Sequence, residues 1–284
     1  MSHDFILESN KGRKLWSTLF LPKKSKGSLV VMAHGLLGFK DWAFFPFVAE
    51  ALSGAGFPVL RFNFSGSGMA GKTDGSFTDL TGFENDTITR QVEDLHAVIA
   101  SAKTGRIPGL PPCGKVMLWG HSRGGGVALL AAAGNPTVSS VAAWAPISRV
   151  NRYKMDITSE WRRLGYRLFE SNRTGQVLKS SVEFLDDLDK WNRLGDIPSE
   201  AFRLKVPVFL LHGQNDTSVS PGESESLAAV IPNARLAILS GADHKFNSRH
   251  PFEGPSEPLL EAVDRTIRFF EEVGRDPGSV TKPV

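Results

Sequence analysis

The chain has 284 residues, 41% hydrophobic and 22% charged, with a formal net charge of +3 and one cysteine. That composition describes one large globular domain, or one domain carrying an insertion, with apolar residues enough for a sizeable core. It excludes an intramolecular disulfide, and the small net charge with scattered basic residues leaves no nucleic-acid footprint. With no 18-residue apolar run and no long apolar segment over residues 1–8, stable membrane insertion is not expected, and a cytoplasmic protein is.

Phe5 to Glu8 and Leu15 to Leu21 flank Ser9-Asn10-Lys11-Gly12 and read as an antiparallel hairpin. Leu29 to Ala33 is uniformly apolar, as a strand covered on both faces must be. It runs into His34-Gly35-Leu36-Leu37-Gly38, a loop at the carboxyl end of a strand, where α/β proteins place function. A helix is predicted from about Phe44 to Ser53 and a strand from Val59 to Phe64. Next comes Gly66-Ser67-Gly68-Met69-Ala70-Gly71, which spells a dinucleotide fingerprint. Such a fingerprint must open a helix directly, whereas Lys72-Thr73-Asp74-Gly75-Ser76 continues the loop, so no nicotinamide or flavin cofactor is expected. Ile88, Val92, Leu95 and Ile99 then predict a one-sided helix over 84–102.

The apolar run 115–119 leads into Gly120-His121-Ser122-Arg123-Gly124, and 125–133 reads as a helix. A serine on a turn this sharp needs nearly side-chain-free neighbours two positions before and after it, and Gly120 and Gly124 meet that demand. Val138 to Ala145 is a further strand, stopped by Pro146. Residues 147–203 break the alternation of strand and helix and read as an insertion, with a hairpin within 168–178 and a helix over 182–191. Tyr153, Trp161, Tyr166 and Trp191 are its aromatic anchors. The sheet resumes at Val206 to Leu211, followed by His212-Gly213-Gln214-Asn215-Asp216 and a helix opened by Ser220-Pro221 with Glu223 as a capping-box partner. The last strand, Arg235 to Leu239, ends in Gly241-Ala242-Asp243-His244, and a final helix over 257–273 is predicted to bury Leu260, Val263, Ile267 and Phe270.

A serine hydroxyl is a weak nucleophile until a base takes its proton, and the base needs an acid to fix its tautomer. Asp216 and His244 supply both at successive strand ends. His250 competes as base, but His244 follows its strand immediately; Asp243 adjoins the base and Asp196 lies in the insertion, which leaves Asp216. His34, His121 and His212, each at a strand end, are expected to satisfy loop backbone groups, and Cys113, placed before a strand, is a bystander.

With His34-Gly35, Gly-His-Ser-Arg-Gly, His-Gly-Gln-Asn-Asp before the acid and Asp243-His244 in that order, the chain resembles the α/β-hydrolase superfamily along nearly its whole length. The resemblance implies a mostly parallel eight-stranded sheet with helices on both faces and a small cap inserted after the sixth strand. The core would then be 1–146 and 204–284 and the cap 147–203. It also implies Ser122 as nucleophile, His244 as general base and acid, Asp216 as orienting acid, and the backbone N–H groups of Leu36 and Arg123 as oxyanion hole, with no cofactor and no metal. The loop Gly75-Ser76-Phe77 and the hairpin-bearing insertion are similar to those of small bacterial cinnamoyl or feruloyl esterases and monoacylglycerol lipases. A small carboxylic ester, its acyl or aryl group enclosed by the Trp and Tyr residues of the cap, is therefore the expected substrate. Serine aminopeptidases and prolyl oligopeptidases resemble the sequence too, which makes a peptidase the alternative, and a catalytically silent binding protein is the third reading.

Overall fold

The computed structural model describes residues 2–71 and 75–275, so positions 72–74 of the glycine-rich loop and the polar tail at 276–284 lie outside the described residues. The chain opens with β1 (Ser2–Glu8) and β2 (Lys14–Phe20), paired antiparallel with Ser2 opposite Phe20 and Glu8 opposite Lys14. Ser9 shapes their turn, its Oγ accepting from the backbone N–H groups of Lys11 and Arg13. Then follow β3 (Leu29–Ala33), α1 (Phe45–Gly54), β4 (Val59–Phe62), α2 (Leu80–Glu84), α3 (Ile88–Lys103), β5 (Val116–His121), α4 (Arg123–Ala132) and β6 (Val138–Trp144). Next are α5 (Met155–Leu164), β7 (Tyr166–Glu170), β8 (Val177–Ser181), α6 (Glu183–Arg193) and α7 (Asp196–Ala201). The chain closes with β9 (Val208–Gly213), α8 (Pro221–Val230), β10 (Ala234–Leu239) and α9 (Glu257–Gly274).

Among the described residues the main sheet has eight strands, in the order β1-β2-β4-β3-β5-β6-β9-β10. Only the pairs β1·β2 and β2·β4 are antiparallel; from β4 onward every neighbour is parallel. The side-chain period of two assigns the central strands to two cores. Leu29, Val31 and Ala33 of β3, with Leu118 of β5 and Leu210 of β9, meet α3, α4 and α8 on one face. Val30 and Met32, with Trp119 and Leu211, meet α1 and α9 on the other. Because both faces are covered, β3, β5 and β9 are buried along their whole lengths.

Several elements depart from the sequence-based expectation. The helix expected over 84–102 begins four residues later, at Ile88, because Thr87 has extended geometry and its Oγ1 accepts from the Arg90 N–H, capping α3; Glu84 instead ends the short α2. The strand expected to reach Phe64 ends at Phe62, since the Phe64 N–H turns away to donate to His34 Nε2 at 3.2 Å. In α9 the buried face is Leu259, Ala262, Val263, Thr266, Phe269 and Phe270, while Leu260 is 48% exposed. A stripe drawn through large apolar residues misses Ala262 and Thr266, and Thr266 Oγ1 earns its interior place by accepting the Trp144 indole N–H at 2.9 Å. Ser220 caps α8 through Gly222, but Glu223 does not close the box; it reaches the segment after β6, where it accepts from the Ser148 N–H at 2.7 Å and pairs with Arg152 at 2.9 Å.

Between β6 and β9 the chain builds α5, the separate two-stranded β7·β8 hairpin, α6 and α7. Trp161 is fully buried there, stacked on Phe184 and edge-on to Tyr153 and Phe169. Phe184, Leu185 and Leu188 of α6 and Ile197 and Ala201 of α7 belong to the same apolar cluster as α3 and α4, which anchors this segment to the sheet side.

Candidate active site

Ser122 stands between β5 and α4 with φ 59° and ψ −124°, a conformation a residue with a Cβ adopts only under constraint. The constraint is steric. A Cβ on Gly120 would overlap the Gly124 carbonyl, and one on Gly124 would overlap the Ala33 carbonyl and meet His34 O at 2.5 Å. Glycine at both positions lets the turn close on itself and press against the end of β3. The Ser122 N–H is held by Trp144 O at 2.9 Å, fixing the turn to β6 as well.

The three residues expected from strand ends meet. His244 Nε2 lies 3.1 Å from Ser122 Oγ, and His244 Nδ1 lies 2.6 Å from Asp216 Oδ2. With Nδ1–H donating to the carboxylate, Nε2 is left with the lone pair that can accept the serine proton. Asp216 is buried and saturated with donors: Oδ1 takes the N–H groups of Ser218 at 2.8 Å and Val219 at 2.9 Å. Oδ2 takes His244 and, at 3.1 Å, His212 Nε2. Burial alone would raise this carboxyl's pKa; the hydrogen bonds from His212, His244 and Val219 outweigh it and hold the group well below the usual carboxylate range.

The competing residues are engaged elsewhere. Asp243 accepts from the N–H groups of Lys245 and Asn247, and Asp196 from those of Val150 and Ile197. His250 Nδ1 accepts the Ala43 N–H, its ring stacked on Trp42. His34 accepts the Phe64 N–H and donates to Gly35 O, and His121 donates to His244 O at 2.9 Å. Burial, reinforced in His34 by the Arg123 charge and in His121 by His244, pushes their pKa values down to about 4 and about 3, so both rings are neutral near pH 7. His212 also meets a loop carbonyl, Val219 O at 2.9 Å, but its bonds to Asp216 and to Ser224 Oγ were not foreseen.

The loop after β3 lies directly against Ser122: a Cβ on Gly35 would stand 3.0 Å from Ser122 Cβ and 3.4 Å from its Oγ. Leu36 follows in that loop, and the Arg123 N–H is the first of α4, where no intrahelical acceptor exists. The N-terminus of α4 directs positive partial charge at the same place. A pocket of about 260 Å³ opens over Ser122, walled by Leu36, Leu37 and Trp42 and closed by Asn172 and Arg173 of the β7·β8 turn. The Arg173 guanidinium covers the Phe39 and Phe77 rings at 4.6 and 5.1 Å.

This corrects the expectation that Trp and Tyr of the insertion enclose the substrate. Tyr153 and Trp161 pack inside the insertion, Trp191 donates to Thr89 Oγ1 on α3, and Lys179 covers Tyr166; the aromatic wall is Trp42 of the core. The glycine-rich loop 66–71 is tied down by acids rather than opening a helix: Asp94 accepts from Ser65, and Asp86 occupies the space a Gly66 Cβ would need. Among the described residues there is no group of three or more His, Cys, Asp or Glu placed to hold a metal ion, and no helix long and apolar enough to cross a membrane.

A profile of the alpha/beta hydrolase family matches residues 30–262, and the chain belongs to that family. Polyketide synthase ThaQ of Burkholderia thailandensis is 32% identical over 94 residues, 33% of this chain and 4% of that protein, so the chain spans a small fraction of that relative's length. Est1E from Butyrivibrio proteoclasticus with bound ferulic acid is similar in structure at a TM-score of 0.70 and 21% identity, over 94% of this chain and 98% of that one. The monoacylglycerol lipase of Paleococcus ferrophilus follows at 0.68 and 20%, over 91% and 99%. At these identities the likeness establishes the fold, an α/β-hydrolase fold.

Proposed function

We propose that this member of the alpha/beta hydrolase family is a serine carboxylic ester hydrolase for small acyl or aryl esters. The observation that carries the reading is the continuous chain of contacts from Ser122 Oγ through His244 to Asp216, 3.1 and 2.6 Å long, at the floor of a pocket. In this reading Ser122 Oγ attacks the ester carbonyl carbon while His244 Nε2 takes its proton. The oxyanion is held by the N–H groups of Leu36 and Arg123, each such donor being worth about 3 kcal/mol in related chemistry. Collapse expels the alcohol, which leaves with the proton from His244, and the acyl group stays on Ser122 as an ester. Water, deprotonated by the same His244, then attacks the acyl-enzyme and releases the acid. Asp216 stays ionised throughout and stabilises the imidazolium.

The pocket supports a small substrate. At about 260 Å³ it lies just below the usual range for small-molecule sites, and its Leu36, Leu37 and Trp42 wall suits an acyl chain or an aryl ring. Est1E, with its bound ferulic acid, and the monoacylglycerol lipase of Paleococcus ferrophilus, both of this fold, support the same reading. Residues 147–203 act in this reading as the cap, contributing the Asn172 and Arg173 side of the pocket. A cytoplasmic location belongs to the same proposal.

The test is a panel of p-nitrophenyl esters of increasing acyl length, with methyl ferulate and an aminoacyl p-nitroanilide, assayed on wild type and Ser122→Ala. Ester cleavage that disappears in the variant is the expected result. Cleavage of the anilide alone assigns a peptidase instead, and cleavage of nothing on the panel assigns a binding protein.

A further inference from the structure

We infer that His212 is a positioning residue of the active site, a second imidazole that holds the same oxygen of the triad carboxylate as His244 does. The inference rests on the triad reading above. His212 lies in β9, four residues before Asp216, and is fully buried. Its Nε2 faces two acceptors, Asp216 Oδ2 at 3.1 Å and Val219 O at 2.9 Å. Two oxygens against one ring nitrogen require a proton on that nitrogen, so His212 donates to Asp216. The other edge of the ring is tied at Nδ1 to the Ser224 hydroxyl at 2.7 Å, and Ser224 is itself fully buried on α8. The ring is therefore locked in orientation by a strand, a loop carbonyl and a helix.

The consequence falls on Asp216. Each of its oxygens already has two donors, backbone N–H groups on Oδ1 and two histidines on Oδ2. The carboxylate cannot rotate about its Cβ–Cγ bond without breaking four hydrogen bonds. The His212 donor also withdraws negative charge from the oxygen that faces His244, which lowers the carboxylate's basicity and keeps the proton on His244 when the imidazolium forms. Without that donor, three of the four hydrogen bonds remain, the carboxylate is held less tightly, and Oδ2 pulls with its full charge on His244. Turnover then falls, and His244 becomes the stronger base. The titratable groups around His212 are Asp216 and, beyond it, His244 at the end of the β10 loop and His121 at the end of β5, whose ring lies 4.7 Å from that of His244.

The inference is tested with His212→Ala, His212→Gln and Ser224→Ala, assayed on the best p-nitrophenyl ester over pH 5–9 with near-ultraviolet circular dichroism as the check on folding. His212→Ala should lower kcat by about 10- to 100-fold, as loss of an orienting partner behind a functional ligand does. KM should stay within twofold and the acid limb of kcat/KM should move to higher pH. His212→Gln, which can place an N–H near the Nε2 position, should recover most of kcat and return the acid limb toward wild type. Ser224→Ala, which removes only the hydroxyl behind the ring, should move both in the direction of His212→Ala by a smaller amount, and it serves if His212→Ala does not fold. A folded His212→Ala or Ser224→Ala with the wild-type acid limb and kcat overturns the inference and leaves His212 with a structural role. Retained ester cleavage in Ser122→Ala would instead overturn the triad reading, whatever the His212 variants do.

Discussion

Gly213, the last residue of β9, lies against the carbonyl oxygen of Ala242, so that a Cβ on the glycine would overlap it and would also come within 2.6 Å of Asp243 O. This contact seats the loop that delivers His244 on the strand that delivers Asp216. Two backbone hydrogen bonds lie beside it, from the Asn215 N–H to Ala242 O at 2.8 Å and from the Gln214 N–H to Leu239 O at 2.9 Å. Asp216 and His244 are thus positioned by main chain as well as by the contact between their side chains.

Gly213→Ala should therefore push the two loops apart. A displacement near 1 Å at a catalytic contact costs about 100-fold in rate. The expected outcome is a comparable loss in kcat/KM in a protein that still folds, measured beside Gly222→Ala, where an added Cβ meets nothing nearer than Ser220 Oγ at 3.5 Å. Equal activity in the two variants would show that the loops tolerate the methyl group.

Stability should fall in acid, and His34 and His121 set where. Their folded pKa values, about 4 and about 3, lie below the ordinary histidine value near 6.5 because burial disfavours the charged ring. The unfolded chain therefore binds protons that the folded chain refuses as pH falls below about 6.5, and each ring removes up to about 1.4 kcal/mol of stability per pH unit until its folded pKa is reached. Asp216, held below the usual carboxylate range, adds to the loss at still lower pH. Urea midpoints between pH 7.5 and 4 should decline, and His34→Gln should decline by one proton's slope less; parallel curves would refute the assignment to His34.

Asp86 should act in the opposite sense. Burial raises its pKa to about 7, against the pull of the Arg123 guanidinium 3.9 Å away. Between the ordinary carboxylate range and pH 7 the folded state holds a proton that the unfolded state has lost, so this group's contribution to stability decreases as pH rises through that window and is constant above it. Asp86→Asn can keep the contact with Gln91, 2.5 Å in the parent, and removes the ionisation. The Tm of the variant relative to wild type should rise between pH 4 and 7 and level off above 7. A difference that does not vary with pH would place the titration elsewhere.

Much of the fold was legible because its signals are local. Uniformly apolar runs mark β3, β5 and β9, since strands covered on both faces need no polar side. The elbow was legible for a steric reason, as only glycine at 120 and 124 permits the Ser122 backbone, and the order of Ser122, Asp216 and His244 followed from their places at strand ends. The contacts that tie distant segments together were less so. Nothing adjacent in the chain signals that Glu223 reaches Ser148, 75 residues away, instead of its own helix cap.

What the sequence by itself determined is the strands and the long helices of the sheet core, the turn at Ser122 and the candidate acid and base, because periodicity and glycine sterics act within a few residues; the short helices α2, α5 and α7 were not among them. Tertiary structure alone decided that Trp42 and not Trp161 walls the pocket, that α9 turns Leu259 rather than Leu260 inward, and that Asp216 answers to two histidines. Each of these is a choice among side chains of similar chemistry. Such choices are made by which surfaces the packed sheet and helices bring within hydrogen-bonding or van der Waals distance, a quantity set by contacts between residues far apart in the chain.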